Sequence, residues 1–176
     1  MGIQVAIVVG SESDLGLVKE SGMLEVLSSC GVGWELSIIS AHRNKKELSD
    51  YCQEAVKEKM VKVFIAAAGM AAALPGDIAA EIKFSLPVIG VPLPSAEFPN
   101  ALDALLAITR VPGGCPVAMT GIGKAGLKNA ALLAVQILTS VPDASSVMMR
   151  MKSELWLKEN TKTAKIAAET NQKGDK

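Results

Sequence analysis

Val63-Phe64-Ile65-Ala66-Ala67-Ala68 is an unbroken apolar run closed by Gly69. A strand with one face in water alternates apolar and polar side chains. A continuous run of this length needs cover on both faces, which strands of a parallel sheet have. Outward from it, strand-length apolar runs recur at Ile3–Val9, Trp34–Ile39, Pro87–Val91 and Pro116–Thr120, at intervals of about 25 to 30 residues. Helical patterns fill the intervals. In Lys45–Lys59, Leu48, Tyr51, Cys52, Ala55 and Val56 follow the i, i+3, i+4, i+7, i+8 rule of an amphipathic helix. Asn44 before it and Glu47 three residues on read as a capping-box start, with Asn replacing Ser or Thr. This alternation predicts a three-layer α/β domain over residues 1–140, with helices on both faces of a central parallel sheet.

The pattern breaks after Ser140, at Val141-Pro142-Asp143. Residues 144–168 then read as one long amphipathic helix, with Met148, Met151 and Leu155 on a stripe that Trp156 and Leu157 widen. The expectation is an extra C-terminal helix over 141–169 that packs on a neighbouring subunit or on its own domain. Residues 170–176 read as a flexible tail.

Composition excludes several function classes. The 176 residues are about one domain's length, with 49% apolar and 20% charged residues, which argues against disorder. Eighteen basic residues balance eighteen acidic ones, where a nucleic-acid binder shows a basic excess. Aromatics at 3% are too few for a base-stacking platform. Cys30, Cys52 and Cys115 form no close pair and no zinc spacing, so they read as reduced thiols, and no metal site is expected. Met1 leads into the first apolar run with no basic leader. No uncharged run reaches the roughly 18 residues needed to span a membrane. The expectation is a soluble cytoplasmic protein.

Ligands of parallel α/β sheets sit beyond the carboxyl ends of the strands. After the first run comes Gly10-Ser11-Glu12-Ser13-Asp14, a glycine turn with hydroxyls at a helix start. It offers donors to an anion, although Ser13 or Asp14 would serve equally as a helix cap. It is not a P-loop, because no lysine follows a second glycine. After the second run comes Ser40-Ala41-His42-Arg43, with the chain's only histidine. Imidazole is the side chain best able to exchange a proton near neutral pH, and a guanidinium suits phosphate or carboxylate. The small residues from Ala66 to Gly76 let a flat ligand approach the backbone, or let helix and sheet pack tightly. Pro92-Leu93-Pro94-Ser95 makes a stiff loop. Gly121-Ile122-Gly123-Lys124-Ala125-Gly126 matches G-x-G-x-x-G. No later strand exists to carry a ribose-binding acid, so this segment is expected to form a backbone wall for the ligand and not a dinucleotide site.

In this order along one α/β chain, these segments resemble the PurE family of purine biosynthesis over roughly residues 3–140. Gly10-Ser11-Glu12-Ser13-Asp14 stands for the family's G-S-x-S-D, and Ser40-Ala41-His42-Arg43 for S-A-H-R. Ala71-Ala72-Ala73-Leu74-Pro75-Gly76 stands for A-A-H-L-P-G. Gly90-Val91-Pro92, Leu102-Asp103-Ala104-Leu105-Leu106, Pro112-Gly113-Gly114, Gly123-Lys124-Ala125-Gly126 and Asn129-Ala130-Ala131-Leu132-Leu133-Ala134 extend the match. The resemblance implies a flavodoxin-like fold and a homo-octamer in which the C-terminal helix packs between subunits. It implies interconversion of N5-carboxyaminoimidazole ribonucleotide and 4-carboxyaminoimidazole ribonucleotide, through release and recapture of carbon dioxide. Ser11, Ser13, Asp14 and Arg43 would hold the phosphoribosyl group, and Ser40 and catalytic His42 would face the imidazole ring, with Gly69 and Ala73 completing the substrate site. No metal or organic cofactor is implied.

Ala73 stands where the family's mutases carry a second histidine, and alanine can move no proton. The related enzymes that carboxylate aminoimidazole ribonucleotide directly also lack that histidine. They carry Gly-Arg-Ser-Asn where this chain has Gly69-Met70-Ala71-Ala72, and favour Lys where Arg43 stands. The Gly-Val-Pro and Pro-Gly-Gly segments side with the mutases, so the mutase is preferred and the direct carboxylase is the alternative. A second alternative is a ribonucleotide-binding module without catalysis, against which the retained His42 argues, since phosphate binding alone needs no imidazole.

Overall fold

The five apolar runs become five strands: β1 (Val5–Val9), β2 (Trp34–Ile38), β3 (Val63–Ala68), β4 (Val88–Pro92) and β5 (Ala118–Met119). The computed structural model describes residues 2–83 and 85–139, so the helix expected over 141–169 and the tail at 170–176 lie outside the described residues. The helices are α1 (Leu15–Glu20), α2 (Met23–Ser29), α3 (Lys45–Lys57), α4 (Leu74–Glu81), α5 (Leu102–Thr109) and α6 (Gly123–Thr139). A 3₁₀ turn over Glu12–Asp14 precedes α1.

All neighbouring strands pair in parallel, in the order β2-β1-β3-β4-β5. This is the flavodoxin-like order. β1, β3 and β4 are buried along their whole length, as their unbroken apolarity demanded. β5 is shorter than Pro116–Thr120 and pairs only through Ile89↔Ala118 and Gly90↔Met119. Pro116 has no N–H to give a ladder, which delays the start of this edge strand.

The chain steps from β1 to β2 on one side, then returns to place β3 on the other side of β1. Right-handed crossovers in opposite directions put their helices on opposite faces of the sheet. One face packs Ala6, Val8, Phe64 and Ala66 against Leu48 and Cys52 of α3, Leu74 and Ile78 of α4, and Ile108 of α5. Burial of each such large side chain contributes roughly 1.5–3 kcal/mol. The reversal opens a crevice between the carboxyl ends of β1 and β3, where ligands of this architecture bind.

Helix α3 departs from expectation in two respects. Asn44 does not cap it: its side-chain amide donates to Glu47 Oε2 at 3.0 Å, and no backbone N–H reaches Asn44 Oδ1. The two side chains satisfy each other, so the helix starts on the Asn44 carbonyl alone, which accepts from Leu48 N at 2.9 Å. Val56 ends the apolar stripe but is exposed, while its neighbour Ala55 is fully buried.

Candidate active site

The β1 loop is held by its own hydroxyls. Ser11 leaves the strand in an extended conformation (φ −154°), and its Oγ accepts from Ser13 N at 3.4 Å and from the Ser13 hydroxyl at 3.0 Å. Ser11 is therefore the cap here, where Ser13 or Asp14 was expected. Asp14 makes no side-chain cap bond to α1. Burial pushes its carboxyl pKa up, opposed by backbone hydrogen bonds from Ser11 and Gly10.

The β2 loop turns directly into α3. Ile39 N donates to Val9 O at 2.9 Å and keeps the loop on the sheet. Ser40 Oγ accepts from Arg43 N at 3.3 Å and Ser40 O from Asn44 N at 2.9 Å, closing a turn around 41–43. Ala41 is buried beneath that turn, which leaves the His42 and Arg43 side chains exposed above it. His42 makes no hydrogen bond to any described residue, so its imidazole is available to a ligand.

The β3 loop carries strain. Met70 and Ala72 have positive φ (55° and 33°), conformations that L side chains rarely adopt and that cluster at functional sites. Ala72 N closes the loop on Gly69 O at 3.1 Å. A Cβ at Gly69 would lie 3.1 Å from Leu93 O, so glycine lets the β4 loop come this close without a shift of its backbone. Leu93 N donates to Ala68 O at 2.9 Å, extending the β3–β4 ladder, and Pro94 and Ser95 follow.

These loops enclose one cavity of about 600 Å³. Ser11, Ser13, Asp14, Ser40, His42, Arg43, Gly69 and Ala73 all line it. Ser95 and Met70, which the sequence reading placed in strand-end loops without a site role, line it too, as do Leu17 and Ala96, which it did not name. For Ser95 the signal was its place just beyond the fourth strand's carboxyl end. The small-residue run forms the wall from Ala68 to Leu74, which fits approach of a flat ligand.

The Gly121–Gly126 segment does not line the cavity, which corrects the expected backbone wall. Gly126 packs on the Gly121 carbonyl, against which a Cβ would collide, and lies close to Val91. Thr120 Oγ1 donates to Gly126 O at 2.9 Å, and Asn129 Nδ2 to Thr120 O at 3.1 Å. The glycines thus make a tight entry to α6, and Gly123 stands behind Pro94 of the cavity wall.

A larger groove of about 780 Å³ lies along β2 and α3, and Arg43 borders it as well. Glu47, Asp50 and Glu54 set acidic groups beside Lys45 and Lys46 there, so it has no single charge preference. Tyr51 donates to Glu35 Oε1 at 2.7 Å in this region, and burial together with that bond pushes the phenol pKa up. Among the described residues no cluster of three His, Cys, Asp or Glu side chains could hold a metal, and no helix is long and apolar enough to cross a membrane.

A family model described as AIR carboxylase matches residues 4–156. The chain belongs to that family. It is 47% identical over 136 residues to the N5-carboxyaminoimidazole ribonucleotide mutase of Bacillus subtilis, covering 77% of this chain and 80% of that protein. To the mutase of the same name from Saccharolobus solfataricus it is 46% identical over 135 residues, covering 77% and 80%. The crystal structure of Treponema denticola PurE matches this AIR carboxylase family member with a TM-score of 0.78 at 25% identity, covering 94% of this chain and 97% of that one.

Proposed function

We propose that this chain is an N5-carboxyaminoimidazole ribonucleotide mutase of purine biosynthesis. One observation carries the site assignment: the chain's only imidazole stands over the same cavity as the Ser11 and Ser13 hydroxyls and the Arg43 guanidinium. The hydroxyls and Arg43 hold the substrate phosphate, and Asp14 accepts from ribose hydroxyls, which are donors suited to a carboxylate. Ser40 and His42 face the imidazole ring, and the apolar wall from Gly69 to Ala73 receives its flat side.

The reaction then balances on one proton. The carbamate C–N bond breaks, carbon dioxide is released, and His42 as general acid supplies the proton that the leaving amine takes up. The ring carbon bonds to the carbon dioxide, and His42 as base removes the ring proton. One imidazole does both, because the second step returns the proton that the first consumed. Because one imidazole gives the proton and takes it back, the scheme assigns no proton transfer to Ala73. The apolar wall also keeps water from carbon dioxide before recapture. No metal or organic cofactor enters this scheme.

Reduced, buried Cys30 and Cys52 fit a reducing, cytoplasmic compartment. Helix α5 is apolar nearly all round, yet Leu102 and Leu106 are exposed on it, which supports self-association and the homo-octamer.

The deciding assay offers purified protein N5-carboxyaminoimidazole ribonucleotide without bicarbonate, and separately aminoimidazole ribonucleotide with excess bicarbonate. Efficient formation of 4-carboxyaminoimidazole ribonucleotide from the first alone is expected. Preference for the second makes the chain a direct carboxylase, and silence from both makes it a binding module. His42→Asn is expected to keep ribonucleotide affinity within about tenfold while turnover falls by about 10²-fold or more. Turnover like the parent's would remove His42 from the mechanism.

A further inference from the structure

We propose that Ser95 is a substrate-binding residue that donates its hydroxyl hydrogen to the carboxylate end of the ribonucleotide. The proposal rests on the nucleotide reading of the cavity given above. Ser95 Oγ accepts from Phe98 N at 3.1 Å, and Ser95 N donates to Phe98 O at 3.2 Å. Those bonds fix the loop and leave the hydroxyl hydrogen uncommitted beside the cavity.

The composition of the walls decides which end of a ligand this hydrogen serves. From Ala68 to Leu74 the wall offers only alanine, glycine, methionine and leucine side chains, and Ala73 supplies no donor. Pro94 and Ala96 flank Ser95 with none either, so among the described residues Ser95 is the one side chain on the β3–β4 side that can hydrogen-bond. Two strand spacings, about 10 Å, separate the carboxyl end of β1, with its phosphate donors, from that of β4. A ligand anchored by phosphate at β1, with its ring against the Gly69–Ala73 wall of the intervening β3 loop, has room to carry its other anionic end toward Ser95. Gly69 makes the approach possible, since a side chain there would push Leu93 and the residues after it away.

Three variants separate binding from loop support. Ser95→Thr keeps the hydroxyl. Ser95→Ala removes both the donor and the acceptor for Phe98 N. Ser95→Asp keeps an acceptor for Phe98 N but sets a negative charge in place of the donor. Each is assayed for kcat and KM, and for the fraction of aminoimidazole ribonucleotide released per turnover. Affinity for 4-carboxyaminoimidazole ribonucleotide is measured by calorimetry. We expect Ser95→Thr within about threefold of the parent and Ser95→Ala weaker by about tenfold or more, the scale of a hydrogen bond to a charged group. Release of decarboxylated nucleotide rises in Ser95→Ala, and Ser95→Asp is the weakest of all. Parent-like affinity in Ser95→Ala overturns the proposal. So does Ser95→Asp outperforming Ser95→Ala, which would show that the hydroxyl only supports the loop. If the parent fails to turn over N5-carboxyaminoimidazole ribonucleotide, the mutase reading falls, while the calorimetric comparison still decides the role of Ser95.

Discussion

Gly90 lies in the middle of β4, and replacing it with alanine tests how the helices above the site are seated. Its φ lies outside the left-handed region, so alanine fits the backbone. Space is what it lacks. A Cβ there would stand 2.8 Å from Ile108 Cγ2 on α5, 2.9 Å from Val117 Cγ1 and 3.2 Å from Pro75 Cβ on α4. Carbon pairs are most favourable near 3.5–4.0 Å, so all three neighbours must give way. Overpacking of this kind costs about 1–3 kcal/mol. Loss of glycine's freedom in the unfolded chain returns roughly 0.4–1 kcal/mol. The net destabilisation is about 1–2 kcal/mol, or roughly 2–8 °C in Tm for a chain of this size. Urea and thermal denaturation of Gly90→Ala, Val117→Ala and the double variant measure it. Val117 is half-buried, and trimming it alone removes useful contact. In the Gly90→Ala background the same trimming relieves the clash, so the pair should couple by about 0.5 kcal/mol or more. Effects that add within about 0.3 kcal/mol would refute steric seating as the reason for glycine at this position.

Asp14 offers a pH test. Burial raises its folded pKa above the unfolded value, so the folded state holds the proton longer, and stability falls as pH rises from the unfolded pKa through the folded one. Asp14→Asn should therefore melt higher than the parent at pH 7, with the difference fading toward pH 3, while ribonucleotide affinity drops; a higher melting temperature at pH 3 than at pH 7, relative to the parent, would reverse the assigned sign. Cys52 tests the buried face of α3. Its thiol is pushed up to about 12 by burial and by the Glu81 charge, so alkylation at pH 8 should be negligible until denaturant is added. Rapid labelling of the folded protein at Cys52, located by peptide mapping, would show that α3 opens locally.

Much of this fold was legible along the chain. The unbroken apolar runs marked β1, β3 and β4, because burial on both faces leaves no position for a polar side chain. The stripe of Leu48, Tyr51, Cys52 and Ala55 marked α3. Periodicity is a local property, so it can be read without knowing what any element touches. The candidate residues at strand ends were legible for a related reason: parallel strands all present the same end, and Ser11, His42 and Gly69 stand in the loops that leave those ends.

Partners distant in sequence were not legible. The order β2-β1-β3-β4-β5 comes from pairing between segments far apart in the chain, and it alone brings the loops after β1, β2, β3 and β4 around one cavity. Asn44 and Glu47 had the spacing of a capping box, yet their side chains satisfied each other instead of the backbone. The Gly121–Gly126 motif looked like a ligand wall and lies outside the cavity as the tight entry to α6, where Gly126 packs on the Gly121 carbonyl and Val91, and Gly123 on Pro94. Ser95 joins the cavity wall where Leu93 runs close against Gly69, a contact the chain order does not show. The sequence by itself determined which segments are strands and helices and which residue types stand at the strand ends. The tertiary structure decided which of those residues share a cavity, because that depends on strand adjacency and backbone clearance, and neither leaves a periodic trace in the chain.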